Sequence, residues 1–168
     1  MIAHTHLDQH GASAGLRPGD RAPAFELPDA DLNVVRLVDV CGSSHLVLYF
    51  YPKDDAPGCT TEALEFSELE MDYRDAGALV LGISRDDCMA HGAFRDKHGL
   101  AVQLLSDVDG DVCRSYGVMQ HKEYDGQTRE CIRRSTFVID RKGVVRHALY
   151  GVSPRGHAAE VLQLIKEL

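Results

Sequence analysis

His45-Leu46-Val47-Leu48-Tyr49-Phe50-Tyr51 runs directly into Pro52-Lys53-Asp54-Asp55-Ala56-Pro57-Gly58-Cys59-Thr60-Thr61-Glu62. The first seven residues are apolar or aromatic and of strand length, which predicts a central strand buried on both faces. After the loop Pro52 to Gly58, the spacing predicts a helix from about Cys59 to Asp75. Ala63, Phe66, Leu69 and Tyr73 share one face of it, and Gly77 ends it. A cysteine therefore stands where a buried strand passes through a tight loop into a helix.

Working outward, Ala78 to Ile83 reads as a second apolar strand. A helix from about Asp87 to His98 follows, with Asp86 as the expected N-cap and Gly99 after its end. This β-α-β-α alternation predicts an α/β fold with a largely parallel core. Upstream, Ala24 to Leu27 and Val34 to Leu37 flank the turn-forming segment Pro28 to Asn33 and read as a β-hairpin. Downstream, Val102 to Leu105 is a short strand and Asp109 to Tyr116 a short helix. Ser135 to Ile139 with Val144 to Leu149 form a hairpin around Asp140 to Gly143. A closing helix carries one apolar stripe, Ala158, Val161, Leu162, Ile165 and Leu168.

The chain has 168 residues, 44% hydrophobic and 26% charged, which suits one globular domain. We place that domain at 17–168, after a polar tail at 1–16. The tail's His4, His6 and His10 lack partner ligands at metal-site spacing, so they read as solvated residues rather than a metal site. No metal or other cofactor is expected. A net charge of −8 disfavours nucleic acid and anionic membranes as partners, and no run approaches the roughly 20 apolar residues of a membrane span. Neither a secretory signal nor a CxxC pair is present, and the cysteine count, 5, is odd. A reducing cytoplasm fits this pattern best.

The position of Cys59 matters electrostatically. Unpaired N–H groups and the positive end of the dipole at a helix N-terminus favour the thiolate, the nucleophilic form. Pro57 and Gly58 are expected to turn the backbone sharply enough to aim the Gly58 and Cys59 N–H groups into a pocket. A thiolate acting as a nucleophile also gains from fixed donors and a permanent cation nearby, which stabilise the negative charge that moves during its reaction. Arg134, at the start of the strand Arg134 to Ile139, is of the residue type that can supply both. Taken alone, such a cysteine is as well explained as a buried packing residue, and such an arginine as a surface charge.

Tyr51 to Glu62 together with Gly82-Ile83-Ser84-Arg85-Asp86, Leu104-Leu105-Ser106-Asp107, Tyr116-Gly117-Val118 and Arg133 to Asp140 resembles the bacterioferritin comigratory protein (peroxiredoxin Q) branch of peroxiredoxins. The likeness runs in family order from about Gly19 to Leu168. It implies a thioredoxin-like fold with a central mixed sheet, flanking helices and an added N-terminal β-hairpin. It also implies an oxidoreductase, a thioredoxin-dependent peroxidase acting on hydrogen peroxide and organic hydroperoxides through a Cys59 sulfenic acid. In that pattern Pro52 shields the thiol, Arg134 binds peroxide and steadies the thiolate, and Glu62 orients Arg134. The family threonine three residues before the cysteine is here Ala56, so one hydroxyl donor is missing.

The resemblance further implies a resolving thiol, a thioredoxin or glutaredoxin-type reductant, and a monomer or weak homodimer. Many relatives carry the resolver five residues after the peroxidatic cysteine, where this chain has Leu64; others carry it on the next helix, where Cys88 is the candidate. Cys131, Cys41 and an external thiol stay open, and Cys113 reads as core packing. The alternative function is a redox sensor that passes oxidation to a partner protein. A thioredoxin-like disulfide reductase would want a cysteine where Glu62 stands.

Overall fold

The computed structural model describes residues 15–168. Nearly all of the expected tail, with His4, His6 and His10, lies outside those residues. Leu16, at the tail's end, is already docked, its N–H donating to the Tyr150 hydroxyl at 2.8 Å.

In chain order the elements are β1 (Glu26–Pro28), β2 (Val34–Arg36), α1 (Leu37–Cys41), β3 (His45–Phe50), α2 (Pro57–Glu68), α3 (Glu70–Asp75), β4 (Ala78–Ser84) and α4 (Cys88–His98). These are followed by β5 (Gln103–Ser106), α5 (Asp111–Ser115), β6 (Met119–Tyr124), β7 (Gln127–Ile132), β8 (Ser135–Ile139), β9 (Val145–Tyr150) and α6 (His157–Lys166). The main sheet has the order β5-β4-β3-β8-β9, so the HLVLYFY strand is central as expected. β3 runs parallel to β4 and β4 to β5, whereas β8 is antiparallel to both β3 and β9. The sheet is thus mixed, not largely parallel, because β8 and β9 enter as a hairpin rather than through helical crossovers.

Alternation along β3 builds both halves of the core. Val47, Tyr49 and Tyr51 face a layer with Phe66, Tyr73, Phe94, Val161 and Ile165 from α2, α3, α4 and α6. Leu46, Leu48 and Phe50 face the opposite layer, with Phe25, Leu27, Leu37 and Cys113 from the N-terminal hairpin, α1 and α5. Each such buried side chain contributes about 1.5–3 kcal/mol relative to exposure, so the register of β3 is strongly specified.

Several boundaries differ from expectation. The helix after the loop starts at Pro57, whose missing N–H costs nothing at the first helical position, so Cys59 is third in the helix rather than first. The helix breaks at Leu69 (φ −98°, ψ 8°), which separates α2 from α3. Asp87, not Asp86, caps α4, its carboxylate accepting the Ala90 N–H at 2.8 Å. Asp86 is otherwise engaged, accepting the Ser84 hydroxyl and the Asp54 N–H at 2.7 and 2.9 Å. Sequence reading also missed α1 and the β6–β7 hairpin. The hairpin turns at Asp125 and Gly126, both at positive φ, a pair that signals a tight turn. Its strands are largely exposed and polar, so no apolar period marked them. Leu168, expected on the α6 stripe, is 37% exposed beyond the helix end.

Candidate active site

Cys59 sits in the first turn of α2, only 2% exposed, behind the loop that leaves β3. The first bond of this helix runs from the Thr60 N–H to the Ala56 carbonyl at 2.8 Å. The N–H groups of Gly58 and Cys59 precede it and have no acceptor within the helix, so the positive end of α2 surrounds the sulfur.

Arg134 immediately precedes β8. Its carbonyl accepts the N–H groups of Gly151 and Val152 at 2.9 and 3.0 Å, which fixes its backbone. From there Nη2 donates to Cys59 Sγ at 3.4 Å and Nη1 to Glu62 Oε1 at 2.8 Å. Cys59 and Glu62 are three residues apart on one helix, so they face the same guanidinium. Burial opposes charge on Arg134, but the neighbouring Glu62 and Cys59 outweigh it and hold the guanidinium above its ordinary value. Glu62 is fully buried, and its Oε2 has no hydrogen-bond partner among the described residues. Burial pushes its carboxyl up to about 7, against the pull of Arg134.

Gly58 has a different task from the one expected. The left-handed residue of this loop is Asp55 (φ 64°), so the sharp turn lies there. At Gly58 a Cβ would stand 3.0 Å from Arg134 Nη2 and 3.5 Å from Pro154 Cγ, so glycine provides room for the guanidinium. Ala56 is the N-cap of α2 and offers no side-chain oxygen; its carbonyl accepts the Thr60 hydroxyl at 2.9 Å. Pro52 is exposed at the loop's start.

All five cysteines are free. Cys113 is fully buried, and burial raises its thiol far above the ordinary value. Cys41 is also buried, with its thiol raised mainly by desolvation. Cys88, the first residue of α4, and Cys131, on β7, are partly exposed. Sequence reading missed Pro154, which packs against Gly58, and the pair Asp54 and His91 beneath the loop. A buried histidine at the Phe94-bearing face of a predicted helix was the only signal for that pair.

A thioredoxin-like sheet that presents a buried thiol at a helix start to a carboxylate-anchored arginine defines a peroxiredoxin-type thiol peroxidase. The AhpC/TSA family model matches residues 18–148, and the chain belongs to that family. It is 40% identical over 152 residues to Peroxiredoxin Bcp of Escherichia coli K12, covering 90% of this chain and 97% of the relative. Peroxiredoxin Bcp of Bacillus subtilis is 37% identical over 150 residues, covering 89% and 95% respectively. Among solved structures, the Xanthomonas campestris bacterioferritin comigratory protein, studied for alkyl peroxide reduction, superposes with a TM-score of 0.81 at 38% identity. That match covers 85% of this chain and 90% of the other. The protein is a thiol-dependent peroxidase, an oxidoreductase that takes a peroxide as substrate and a thiol as reductant. No helix among the described residues is long and apolar enough to cross a membrane.

Proposed function

We propose that Cys59 is the peroxidatic residue and that Arg134 and Glu62 form the apparatus that activates it. The observation that carries this reading is the single guanidinium shared between Cys59 Sγ and Glu62 Oε1. The thiolate attacks the terminal peroxide oxygen, an S–O bond forms as the O–O bond breaks, and an alkoxide or hydroxide leaves to take up a proton. Arg134 donates to the oxygens on which charge develops, and Glu62 holds it in place. Pro52, at the entrance of the loop, keeps bulk water from the sulfur.

The Cys59 sulfenic acid then condenses with a second thiol, releasing water. Cys88 is the resolver in this reading, because it is partly exposed and lies on the helix packed behind the loop. Thioredoxin or a glutaredoxin-type protein reduces the disulfide, in the cytoplasm, with the enzyme a monomer or weak homodimer. Five free thiols fit a reducing compartment. Peptide mapping after one equivalent of peroxide tests the assignment. A Cys59–Cys88 bridge is expected, and Cys88→Ser should then accumulate sulfenate. A bridge from Cys59 to Cys131 or Cys41, or modification elsewhere than Cys59, overturns it.

A further inference from the structure

The loop that precedes Cys59 is fastened to α4 by two adjacent aspartates. Asp54 points inward, its carboxylate accepting from the Tyr51 hydroxyl at 2.6 Å and from His91 Nδ1 at 2.7 Å. Both partners of the second contact are buried, with side chains 7% and 0% exposed. His91 Nε2 lies 2.9 Å from the Leu105 carbonyl on β5. His91 therefore ties the loop, through Asp54, to β5, one ring nitrogen meeting each side. The Asp54 N–H, in turn, donates to Asp86 at the entry to α4.

Asp55 points outward and completes the attachment. Its Oδ2 accepts from Lys97 Nζ at 2.6 Å and its Oδ1 lies 2.7 Å from His98 Nε2, both near the C-terminal end of α4. Its backbone is left-handed (φ 64°), a conformation that disfavours a side chain and persists only where the surroundings enforce it. His91 and His98 are seven residues apart and share one face of α4 with Phe94, whose ring meets that of His98 edge-on at 5.4 Å. One helix face thus grips both aspartates, and only Ala56, Pro57 and Gly58 separate them from Cys59.

This grip opposes a movement that the chemistry requires. Cys59 is 2% exposed, and a disulfide needs Cα atoms within about 7 Å and an accessible sulfur. The loop and first turn of α2 must therefore open before any thiol, internal or external, reaches the Cys59 sulfenic acid. While the loop stays closed the sulfenate still faces the peroxide pocket. There it can attack a second peroxide, forming another S–O bond as the O–O bond breaks and leaving a sulfinic acid.

We propose that the buried Asp54–His91 hydrogen bond, assisted by Asp55 with Lys97 and His98, is a positioning latch that sets how long the loop stays closed. It thereby sets how the Cys59 sulfenic acid divides between disulfide and sulfinic acid. The latch rests on the reading of Cys59 as the peroxidatic residue but not on the identity of the resolving thiol.

The test is mass spectrometry of Cys59 during turnover with hydrogen peroxide and dithiothreitol, scoring sulfinic acid formed per turnover. Asp54→Ala should lower that yield by about tenfold, the shift expected when one charge-assisted hydrogen bond is lost from a two-state equilibrium. Asp54→Asn can keep every contact, accepting from Tyr51 through Oδ1 and donating through Nδ2 to Nδ1 of the His91 tautomer whose Nε2–H faces Leu105, so it should restore most of the wild-type yield. A general loss of packing would not be rescued in this way. The double variant Lys97→Ala, His98→Gln touches the core only at the edge of the Phe94 ring and should move the yield in the same direction by a smaller factor, which keeps the test decisive if Asp54→Ala fails to fold. Wild-type sulfinic yield in both Asp54→Ala and the double variant overturns the latch. Absence of any Cys59 oxidation in the wild type instead overturns the Cys59 reading itself.

Discussion

Arg134 Nη2 stands 3.4 Å from Cys59 Sγ although the two residues are 75 positions apart in the chain. The contact exists because β8 lies beside β3, whose end leads through the loop into α2. Replacing Arg134 with Ala should lower the second-order rate with hydrogen peroxide by about 10²–10³. Arg134→Lys should recover little of it, since an ammonium does not reproduce the fork that reaches both Cys59 and Glu62. Stopped-flow measurement decides the point, and a lysine variant at the wild-type rate would show that charge alone suffices.

Glu62 gives a stability signature with a defined sign. Its carboxyl is pushed up from an ordinary 4.5 to about 7 by burial. Between those values the folded chain keeps a proton that the unfolded chain has lost. The stabilising contribution is therefore fully present below about 4.5 and is lost as pH rises to about 7. Relative to Glu62→Gln, the wild type should lose on the order of 3 kcal/mol of unfolding free energy across that window. Denaturant titrations at pH 5 and pH 8 measure this, and a constant difference would mean that Glu62 ionises as an ordinary glutamate.

Gly58→Ala separates stability from activity. A Cβ at this position meets Arg134 Nη2 at 3.0 Å, so the guanidinium must shift. Displacing a catalytic group by a fraction of an ångström to an ångström costs about 10–10² in rate. Alanine meanwhile favours helix over glycine by about 1 kcal/mol. We expect a slower enzyme with an unchanged or raised melting temperature; equal losses of both would point to general disruption instead.

Ala56→Thr should do two things, because position 56 is both the N-cap of α2 and three residues before Cys59. A capping hydroxyl adds about 1 kcal/mol to the first turn, and the restored donor should accelerate reaction with peroxide. Rate and stability measured together are informative. A more stable but slower variant would show that the pocket is shaped around alanine.

Local pattern was enough to find β3, α2, β4, α4 and the β8–β9 hairpin, since each buries a periodic apolar face or is bounded by glycine or proline. The β6–β7 hairpin was not found because Met119 to Ile132 is mostly exposed and polar, and only Asp125-Gly126 marked its turn. Asp86 and Asp87 were indistinguishable as caps in sequence. The choice fell to Asp87 once Asp86 was occupied by Ser84 and the Asp54 N–H.

By itself the sequence determined the chemistry available here: a cysteine at a strand-to-helix junction, a glutamate one turn on, and an arginine at the head of a later strand. Those are local properties, set by periodicity and residue type. Only the tertiary structure decided that Arg134 reaches both Cys59 and Glu62, that Glu62 is sealed from water, and that Asp54 meets His91 across 37 residues of chain. Pairings of this kind depend on strand order and helix packing, and spacing along the chain carries no information about which buried charges the fold brings face to face.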